Sequence, residues 1–308
     1  MKFNGYEYKK FSSGFLVVQR VFVLHSKLNV NEFFHTHTHT HTHKTYYPKP
    51  AKSFAICPLA TEAAAKAVFE SESLPVNFCR GHRYVGGYVG SIAMRDRWVE
   101  PMVGKWVGGV EALAKVARKY PQSVFTGFSQ SLQAEWQYLC RCVPDVGKHL
   151  GPVEAAIKEF MIPALFDMEA SEVKDDFRRL LEHGVKQGGM NLRDPSKGAD
   201  RLLQASSEAS EVLVASLLGN TTLDSVEHKA CVRTAGAKAR KERVDGEKEA
   251  VKGMMVGASR MLKKRLERIG ETGAWISMTP NRLNGTLLSM EEWRDNARVC
   301  YDLKPKGL

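Results

Sequence analysis

A row of basic residues near the end of the chain has the clearest capacity for chemistry. Arg260, Lys264 and Arg268 recur every four residues, so on an α-helix they share one face. The apolar residues of the same stretch fall on the opposite face: Leu262, Leu266 and Ile269. Two further basic residues widen the basic side: Lys263 and Arg265. Lys and Arg attract phosphates without regard to base sequence, so the row predicts a polyanion surface. It is equally typical of the solvated side of a docked helix or of a membrane-surface helix.

Five alternate histidines carry the ligands of a transition-metal site. His35, His37, His39, His41 and His43 are separated by single threonines. In an extended chain all five imidazoles would point the same way and could chelate Zn, Ni or Cu. The same alternation arises when a CA dinucleotide repeat is translated in frame, because CAC encodes His and ACA encodes Thr. We favour this second interpretation and predict no metal site and no cofactor.

Catalytic residues are not identified in the sequence. It contains no phosphate-binding G-x-x-x-x-G-K-[ST] loop, no H-E-x-x-H zinc helix and no G-x-S-x-G nucleophile elbow. Asp175 and Asp176 are the only adjacent aspartates, and acidic residues of this kind favour the start of a helix. Two-metal phosphoryl transfer needs several carboxylates on a rigid element, and no such set is apparent.

The positive charge of the chain is concentrated in two stretches. The net charge is +11. Residues 229–270 hold thirteen Lys or Arg and five acidic residues, and residues 1–50 hold seven and two. The long middle of the chain is close to neutral. Clustering of this kind suits nucleic acid first and an anionic membrane second, and the alternative is a solvated charged helix.

The six cysteines and the lack of a long apolar run predict an intracellular protein without a transmembrane segment. Six cysteines in 308 residues are too sparse for a disulfide framework, and Cys140-Arg141-Cys142 lacks the C-x-x-C spacing. No run approaches the roughly 20 apolar residues of a membrane-spanning helix. Whether the protein is nuclear or cytoplasmic, and its oligomeric state, are left open.

Apolar periodicity places these residues mainly on helices. Two amphipathic stripes run from Trp98 to Ala117 and from Phe125 to Val143, with Pro121 at a first helical position. Helices are also predicted near 61–69, 153–165, 176–182, 196–218, 223–243 and 246–269. Ser289-Met-Glu-Glu292 is a capping box that starts a last helix ending near Cys300. A hairpin is predicted from Val76–Cys79 and Arg83–Val85, with Arg80-Gly81-His82 as its turn.

These elements predict a mainly α protein with a small β element, of about two domains. Four segments are distinguished. Residues 1–53 are a low-complexity leader without a packed core, either disordered or spurious. Residues 54–95 hold the hairpin, 96–195 form a helical region, and 196–308 form a basic helical region.

The segment from Cys79 to Ser91, CRGHRYVGGYVGS, resembles the segment that follows the catalytic aspartates in eukaryotic retroelement reverse transcriptases. In that family a Tyr-Leu-Gly-type hairpin closes the palm and helps to seat the primer strand. Residues 186–195 are similar to the family's GGLGLRDP signature further downstream. The helical run with Tyr120-Pro121-Gln122 and Ser131–Trp136 looks like the helices of the thumb. The tail from Leu283 to Ala297 also looks like a sequence from this type of retroelement. The matching residues of the first two motifs are Tyr84, Val85, Gly86, Gly87, Gly188, Gly189, Leu192, Arg193, Asp194 and Pro195.

The resemblance covers roughly residues 57–308 and implies the palm end, a helical thumb-like region and a helical extension. The family's catalytic aspartates should lie upstream of residue 57, where this chain has the His-Thr leader instead. We therefore expect a truncated reverse transcriptase-derived protein without polymerase activity, which binds RNA or DNA non-specifically. The alternative is a helical scaffold that binds a protein partner or an anionic membrane surface. The predicted nucleic-acid-binding residues are Arg83, Tyr84, Gly86, Gly87, Lys186, Arg193, Arg260, Lys263, Lys264, Arg265 and Arg268.

Overall fold

A computed structural model describes residues 53–305, apart from 72, 74 and 220, together with four short strands nearer the N-terminus. The chain is mainly α with a small β element, as the sequence predicts. The described strands are β1 (Lys2–Phe3), β2 (Tyr6–Glu7), β3 (Leu16–Val18), β4 (Val21–Val23), β5 (Phe54–Ile56), β6 (Asn77–Cys79), β7 (Gly81–Tyr84) and β8 (Gly87–Gly90). The described helices are α1 (Leu59–Ser71), α2 (Ile92–Ala117), α3 (Pro121–Gly127), α4 (Gln133–Cys142), α5 (Gly151–Ala156), α6 (Ile162–Phe166), α7 (Asp175–Glu182), α8 (Ala199–Gly219), α9 (Ser225–Val256), α10 (Arg260–Thr272) and α11 (Met290–Cys300).

The chain divides into two compact units. The first comprises residues 1–98 and 207–234, and the second comprises residues 99–206 and 235–308. Helices α2, α8 and α9 each contribute residues to both units because the divisions fall inside them.

The first unit contains the small sheets. Strand β5 lies between β4 and β6 and is parallel to both, while β3 and β4 form an antiparallel pair. Helix α1 packs against this sheet through Ala65 and Phe69, and the Phe69 ring meets the edge of Phe78 at 5.6 Å between ring centroids. The remainder of the predicted leader, including the His-Thr tract, lies outside the described residues, so its disorder stays a prediction.

A hairpin is present, but its strands differ from the predicted ones. Strand β7 pairs with β8, whereas residues 77–79 pair with β5 in parallel. The hairpin turn lies at Val85 and Gly86, whose φ angles are +45° and +78°. Two consecutive left-handed residues give the tight turn whose twist matches a two-residue hairpin, and glycine adopts that conformation most easily. The predicted turn at Arg80-Gly81-His82 was therefore wrong.

The second unit is helical and packs around aromatic side chains. Helix α3 begins at Pro121, as predicted, and continues through a wider π-type turn at Phe128–Leu132 into α4. Helices α5 and α6 are joined in the same way at Ile157–Met161, and the second residue of α6 is Pro163, which has no backbone N–H to donate. Four aromatic residues of the predicted stripes are buried core: Trp106, Phe125, Phe128 and Trp136. Trp98 is only half-buried.

Helix α11 closes this core. Ser289 accepts a hydrogen bond from the backbone N–H of Glu292, and the Glu292 carboxylate accepts one from the Ser289 N–H, so the predicted capping box is present. Trp293 is fully buried and lies 6.0 Å from the Phe125 ring between centroids. The Gln122 amide donates to the Thr286 carbonyl at 2.8 Å and accepts from the Leu288 N–H at 2.9 Å, which ties the segment before α11 to α3.

The exposed face of α2 offers a simple test of this helix. Gly104 and Gly108 are exposed, and a Cβ at either position would meet no atom within 4 Å. Because glycine is a poor helix former, we expect Gly104→Ala and Gly108→Ala each to stabilise the protein by about 0.5–1 kcal/mol in urea unfolding. Gly109→Ala is a matched comparison at a half-buried position, since its Cβ would make an ordinary van der Waals contact with Leu132 at 3.4 Å, and it should stabilise the helix by a similar amount. Losses at both exposed positions would contradict a continuous α2.

In the part of the chain that the structure describes, no helix combines the length and the apolar character needed to span a membrane.

Candidate functional site

The predicted basic row lies on helix α10 of the second unit. Ser259 caps the start of this helix by accepting from the Leu262 N–H at 3.1 Å. Leu266 and Ile269 are buried on one side, and the three residues of the row are exposed on the other: Arg260, Lys264 and Arg268. None of the three has a carboxylate partner among the described residues. The row is therefore a set of cationic side chains that the fold leaves open to an anion.

Two other basic residues of α10 have different environments. Arg265 forms an ion pair with Asp302 at 2.7 Å and donates to the Val299 carbonyl at 2.8 Å, so it ties α10 to the end of α11. Lys263 is half-buried. Of the residues predicted on this helix, Arg265 is thus already engaged within the fold.

Lys186 lies beside α10. It belongs to the short turn Val185–Gln187, which packs against α10, and it is exposed. A Cβ on Gly270 would lie 2.9 Å from the Lys186 carbonyl oxygen, so helix and turn are in close contact. Lys186 and the basic row thus belong to the same unit, but the turn contacts the Leu266 side of α10, which is opposite the row.

Arg193 lies on a separate feature, a cleft of about 600 Å³ within the second unit. This volume lies within the usual range of small-molecule sites. Four chain segments contribute its walls: helix α4, residues 182–198, the start of α8 and the middle of α9. Its cationic residues are Arg141, Arg193, Lys197, Arg201, Arg240 and Arg243, and its acidic residues are Glu182, Asp194 and Glu247.

The three carboxylates of the cleft are already paired. Lys197 lies 2.8 Å from Glu182 and 3.1 Å from Asp194, and Arg243 lies 2.7 Å from Glu247. Burial alone would raise the pKa of Asp194, but hydrogen bonds from Ser196 and Lys197 outweigh it and lower that pKa. Four arginines then remain without a carboxylate partner among the described residues: Arg141, Arg193, Arg201 and Arg240.

A buried glutamine fixes the backbone around Arg193. The Gln133 amide donates to the Asn191 carbonyl at 3.1 Å, and its oxygen accepts from the Arg193 N–H at 3.0 Å. The Arg193 guanidinium donates through Nε to the Asn191 side chain at 2.8 Å. Gln133 is only 2% exposed, so these bonds are shielded from water. These bonds restrict the orientation of the guanidinium.

The positive charge of Arg193 is destabilised by burial and by neighbouring arginines. Burial lowers the pKa of its guanidinium, and the positive charges of Arg243, Arg201 and Arg141 lower it further, with Glu247 opposing them. An arginine keeps its charge at any ordinary pH, so loss of a proton cannot remove this repulsion. An anion in the cleft would reduce the repulsion between the guanidinium groups.

Two buried ring nitrogens of cleft-lining residues also lack partners. Nε1 of Trp136 and Nε2 of His183 have no hydrogen-bond partner among the described residues. Trp136 is 1% exposed and His183 is 9% exposed. Burial lowers the pKa of His183, and the nearby Glu247 and Glu182 offset only part of the effect, which favours the neutral ring. Other buried side chains of the described chain, such as Trp293 and Tyr301, also have a polar atom without a partner, so this feature alone does not mark a ligand site.

The predicted hairpin residues belong to the first unit. Arg83 is exposed, opposite Tyr88 in the β7–β8 register, and Tyr84 pairs with Gly87 next to the turn. Gly86 supplies the left-handed turn residue, and Gly87 is buried. The glycines of this motif therefore have a structural role in the turn.

Sequence reasoning missed most of the cleft. Arg141, Arg201 and Arg240 lie on three different helices, and none belongs to a recognisable motif. His183 follows Glu182 at the end of α7 and belongs to no recognisable motif either. The one available signal was the segment that contains Arg193, Asp194 and Pro195, all three of which line the cleft.

All six cysteines lie within the described residues, and none forms a disulfide. Cys142 is exposed, and the others are buried or half-buried. No group of three or more His, Cys, Asp or Glu in the described part of the chain could hold a metal ion.

The chain matches no protein-family model, no curated protein and no solved structure. The resemblance to reverse transcriptases therefore stays a prediction from the sequence.

Proposed function

We propose that this protein binds nucleic acid without sequence preference and that helix α10 provides the phosphate contacts. The observation that carries the proposal is the exposed row of Arg260, Lys264 and Arg268 on a helix whose other face is buried. At 1.5 Å per residue the row spans about 12 Å, which matches the rise of three to four nucleotides along one strand. An origin in a retroelement reverse transcriptase, without its catalytic residues, is part of the same proposal.

Phosphate contact is favoured over a purely solvated helix by the environment of the row. Some exposed cations on helices of this chain have a carboxylate partner one turn away, as Lys66 has in Glu62. The three residues of the row have no such partner among the described residues. Glu267 and Glu271 on the same helix reduce the local charge without removing its positive sign.

Replacement of the row by glutamine tests the proposal. Each phosphate contact releases condensed counterions, so log affinity falls with log salt by about 0.9 per contact on duplex DNA. We expect the variant Arg260→Gln/Lys264→Gln/Arg268→Gln to flatten this slope by about two to three units. The loss should be the same for unrelated sequences, because phosphates carry no base information. The measurement is fluorescence anisotropy with two unrelated duplexes over a series of salt concentrations.

A control variant separates the row from net charge. Lys105→Gln/Lys115→Gln/Lys119→Gln removes the same charge from exposed residues on and just after α2. The control should change the slope by less than one unit. If the row variant binds duplex DNA as well as the unmodified protein does, the proposal fails. If it instead loses binding to vesicles with anionic headgroups, the row serves a membrane surface.

A further inference from the structure

We propose that the arginine cleft of the second unit binds a phosphate monoester, carried either by a free nucleotide or by a nucleic-acid terminus. The proposal concerns a site separate from the basic row. It rests on the geometry of the cleft and holds whether or not the row binds nucleic acid.

The first support is the balance of charge in the cleft. All three carboxylates that line it are paired with Lys197 or Arg243, and four guanidinium groups are left over. Six cationic and three acidic side chains line the cleft, so its net charge of +3 favours an anion with more than one charge. A phosphate monoester is close to a dianion at neutral pH, whereas an internal phosphodiester carries a single charge.

The second support is the type of donor. All the unpaired cations in the cleft are arginines, whose planar forks bind two phosphate oxygens at once. Trp136 and His183 also line the cleft, but their unpartnered ring nitrogens are buried from solvent, so the phosphate contacts would come from the guanidinium groups. Four guanidinium groups can satisfy more oxygen lone pairs than a carboxylate ligand would offer.

The third support is shape. A volume of about 600 Å³ is far larger than a single phosphate needs, and part of the wall is apolar. Leu202, Ala205, Ala239 and Pro195 provide that part. The remaining space suits the group that carries the phosphate, such as a sugar and a base. Inorganic phosphate alone should therefore bind more weakly than a nucleotide.

The experiment compares probes that differ only in the monoester. Adenosine 5′-monophosphate is compared with adenosine by calorimetry, and a 5′-phosphorylated single-stranded 10-mer is compared with the same oligonucleotide ending in a hydroxyl. We expect the phosphorylated member of at least one pair to bind about tenfold or more tightly, as charge-assisted hydrogen bonds imply. Preference within the first pair identifies a free nucleotide, and preference within the second identifies a strand terminus.

The matched variant is Arg201→Gln/Arg240→Gln. Both residues are exposed on helices, where glutamine has similar helix propensity, so the fold should be retained. We expect this variant to reduce the preference for the phosphorylated probe to within about threefold, with an unchanged melting temperature. The row variant of α10 should keep the full preference. This contrast separates failure of the cleft proposal from failure of the proposed function.

Two results would overturn the proposal. One is equal affinity for the phosphorylated and unphosphorylated member of both pairs. The other is a preference that survives unchanged in Arg201→Gln/Arg240→Gln, because the phosphate would then be bound elsewhere on the protein.

Discussion

Replacing Arg178 with methionine should destabilise the protein by about 3–5 kcal/mol, the usual result when one partner of a buried ion pair is removed. Arg178 is 3% exposed. It donates to both oxygens of Glu154, at 2.7 and 2.6 Å, and to the Leu192 carbonyl at 2.7 Å. In the variant the Glu154 carboxylate would stay largely buried without a cation, and the Leu192 carbonyl would lose its donor.

The pH dependence of this variant has a definite sign. Burial raises the pKa of Glu154, and Arg178 offsets only part of that rise. Without Arg178 the folded-state pKa should rise further, while that of the unfolded chain stays near its ordinary value. A carboxyl group with a raised folded pKa favours folding at low pH, and this contribution is lost as the pH rises through that pKa. The deficit of Arg178→Met should therefore be smaller at pH 5 than at pH 8.

Urea unfolding at both pH values measures the loss in the free energy of unfolding. Two further variants show whether the loss comes from the buried ion pair. Arg179 is the next residue after Arg178 and forms an exposed ion pair with Asp176. Arg179→Gln breaks that pair and should cost less than about 1 kcal/mol. The double variant Arg178→Met/Glu154→Gln removes the stranded charge and should recover part of the loss. If Arg178→Met and Arg179→Gln lose the same small amount, the buried pair does not stabilise the fold.

This pair also explains how the cleft is kept in shape. The bond from Arg178 to the Leu192 carbonyl fixes the residue directly before Arg193, and the Gln133 amide fixes the residues on either side of Leu192. Arg178 and Gln133 thus act as positioning residues for the guanidinium of Arg193. Their loss should weaken phosphate binding even though neither is proposed to contact the phosphate.

The parts of this fold that could be predicted from the sequence depend on local patterns. The stripes of α2 to α4, the start at Pro121 and the capping box at Ser289 each follow from residues within one or two helical turns of one another. Such signals do not need knowledge of the tertiary structure. This is why the mainly α class and most helix positions agree with the structure.

The boundary between α9 and α10 could not be predicted for a physical reason. The sequence predicts a break between residues 243 and 246, but α9 runs unbroken from Ser225 to Val256 and the break lies before Ser259. Among the described side chains of α9 only Ala235 and Val251 are buried, so the helix has almost no apolar stripe. Periodicity cannot mark the end of a helix that lacks it.

The cleft could not be predicted from the sequence for a different reason. Its four unpaired arginines come from positions 141, 193, 201 and 240, on three helices and a loop. Only tertiary packing brings such residues together, and one sequence contains no record of that packing. The hairpin error has the same origin, because residues 77–79 pair with a strand more than 20 residues away.

Gly189→Ala should cost about 3 kcal/mol or more, because the added methyl group would overlap the backbone. Its Cβ would lie 2.2 Å from the His183 carbonyl oxygen and 2.6 Å from the Leu180 carbonyl oxygen. Overpacking that a side chain can relieve costs about 1–3 kcal/mol, and here backbone would have to move instead. The Asn191 N–H donates to the His183 carbonyl at 2.7 Å, so a shift of that carbonyl would break a further bond in the segment that leads to Arg193.

Gly198→Ala is the control for this prediction, since its Cβ would meet no atom within 4 Å although it lies in the same segment of the cleft. It should change the free energy of unfolding by less than about 0.5 kcal/mol in the same urea titration. Equal and small effects at both positions would mean that the turn after α7 does not pack as described. A large effect confined to Gly189 would give the second glycine of the Gly188-Gly189 pair a steric role. The first has a conformational one, because its φ is +82°. Both glycines would then be required by the turn that leads to Arg193, whatever the origin of the sequence.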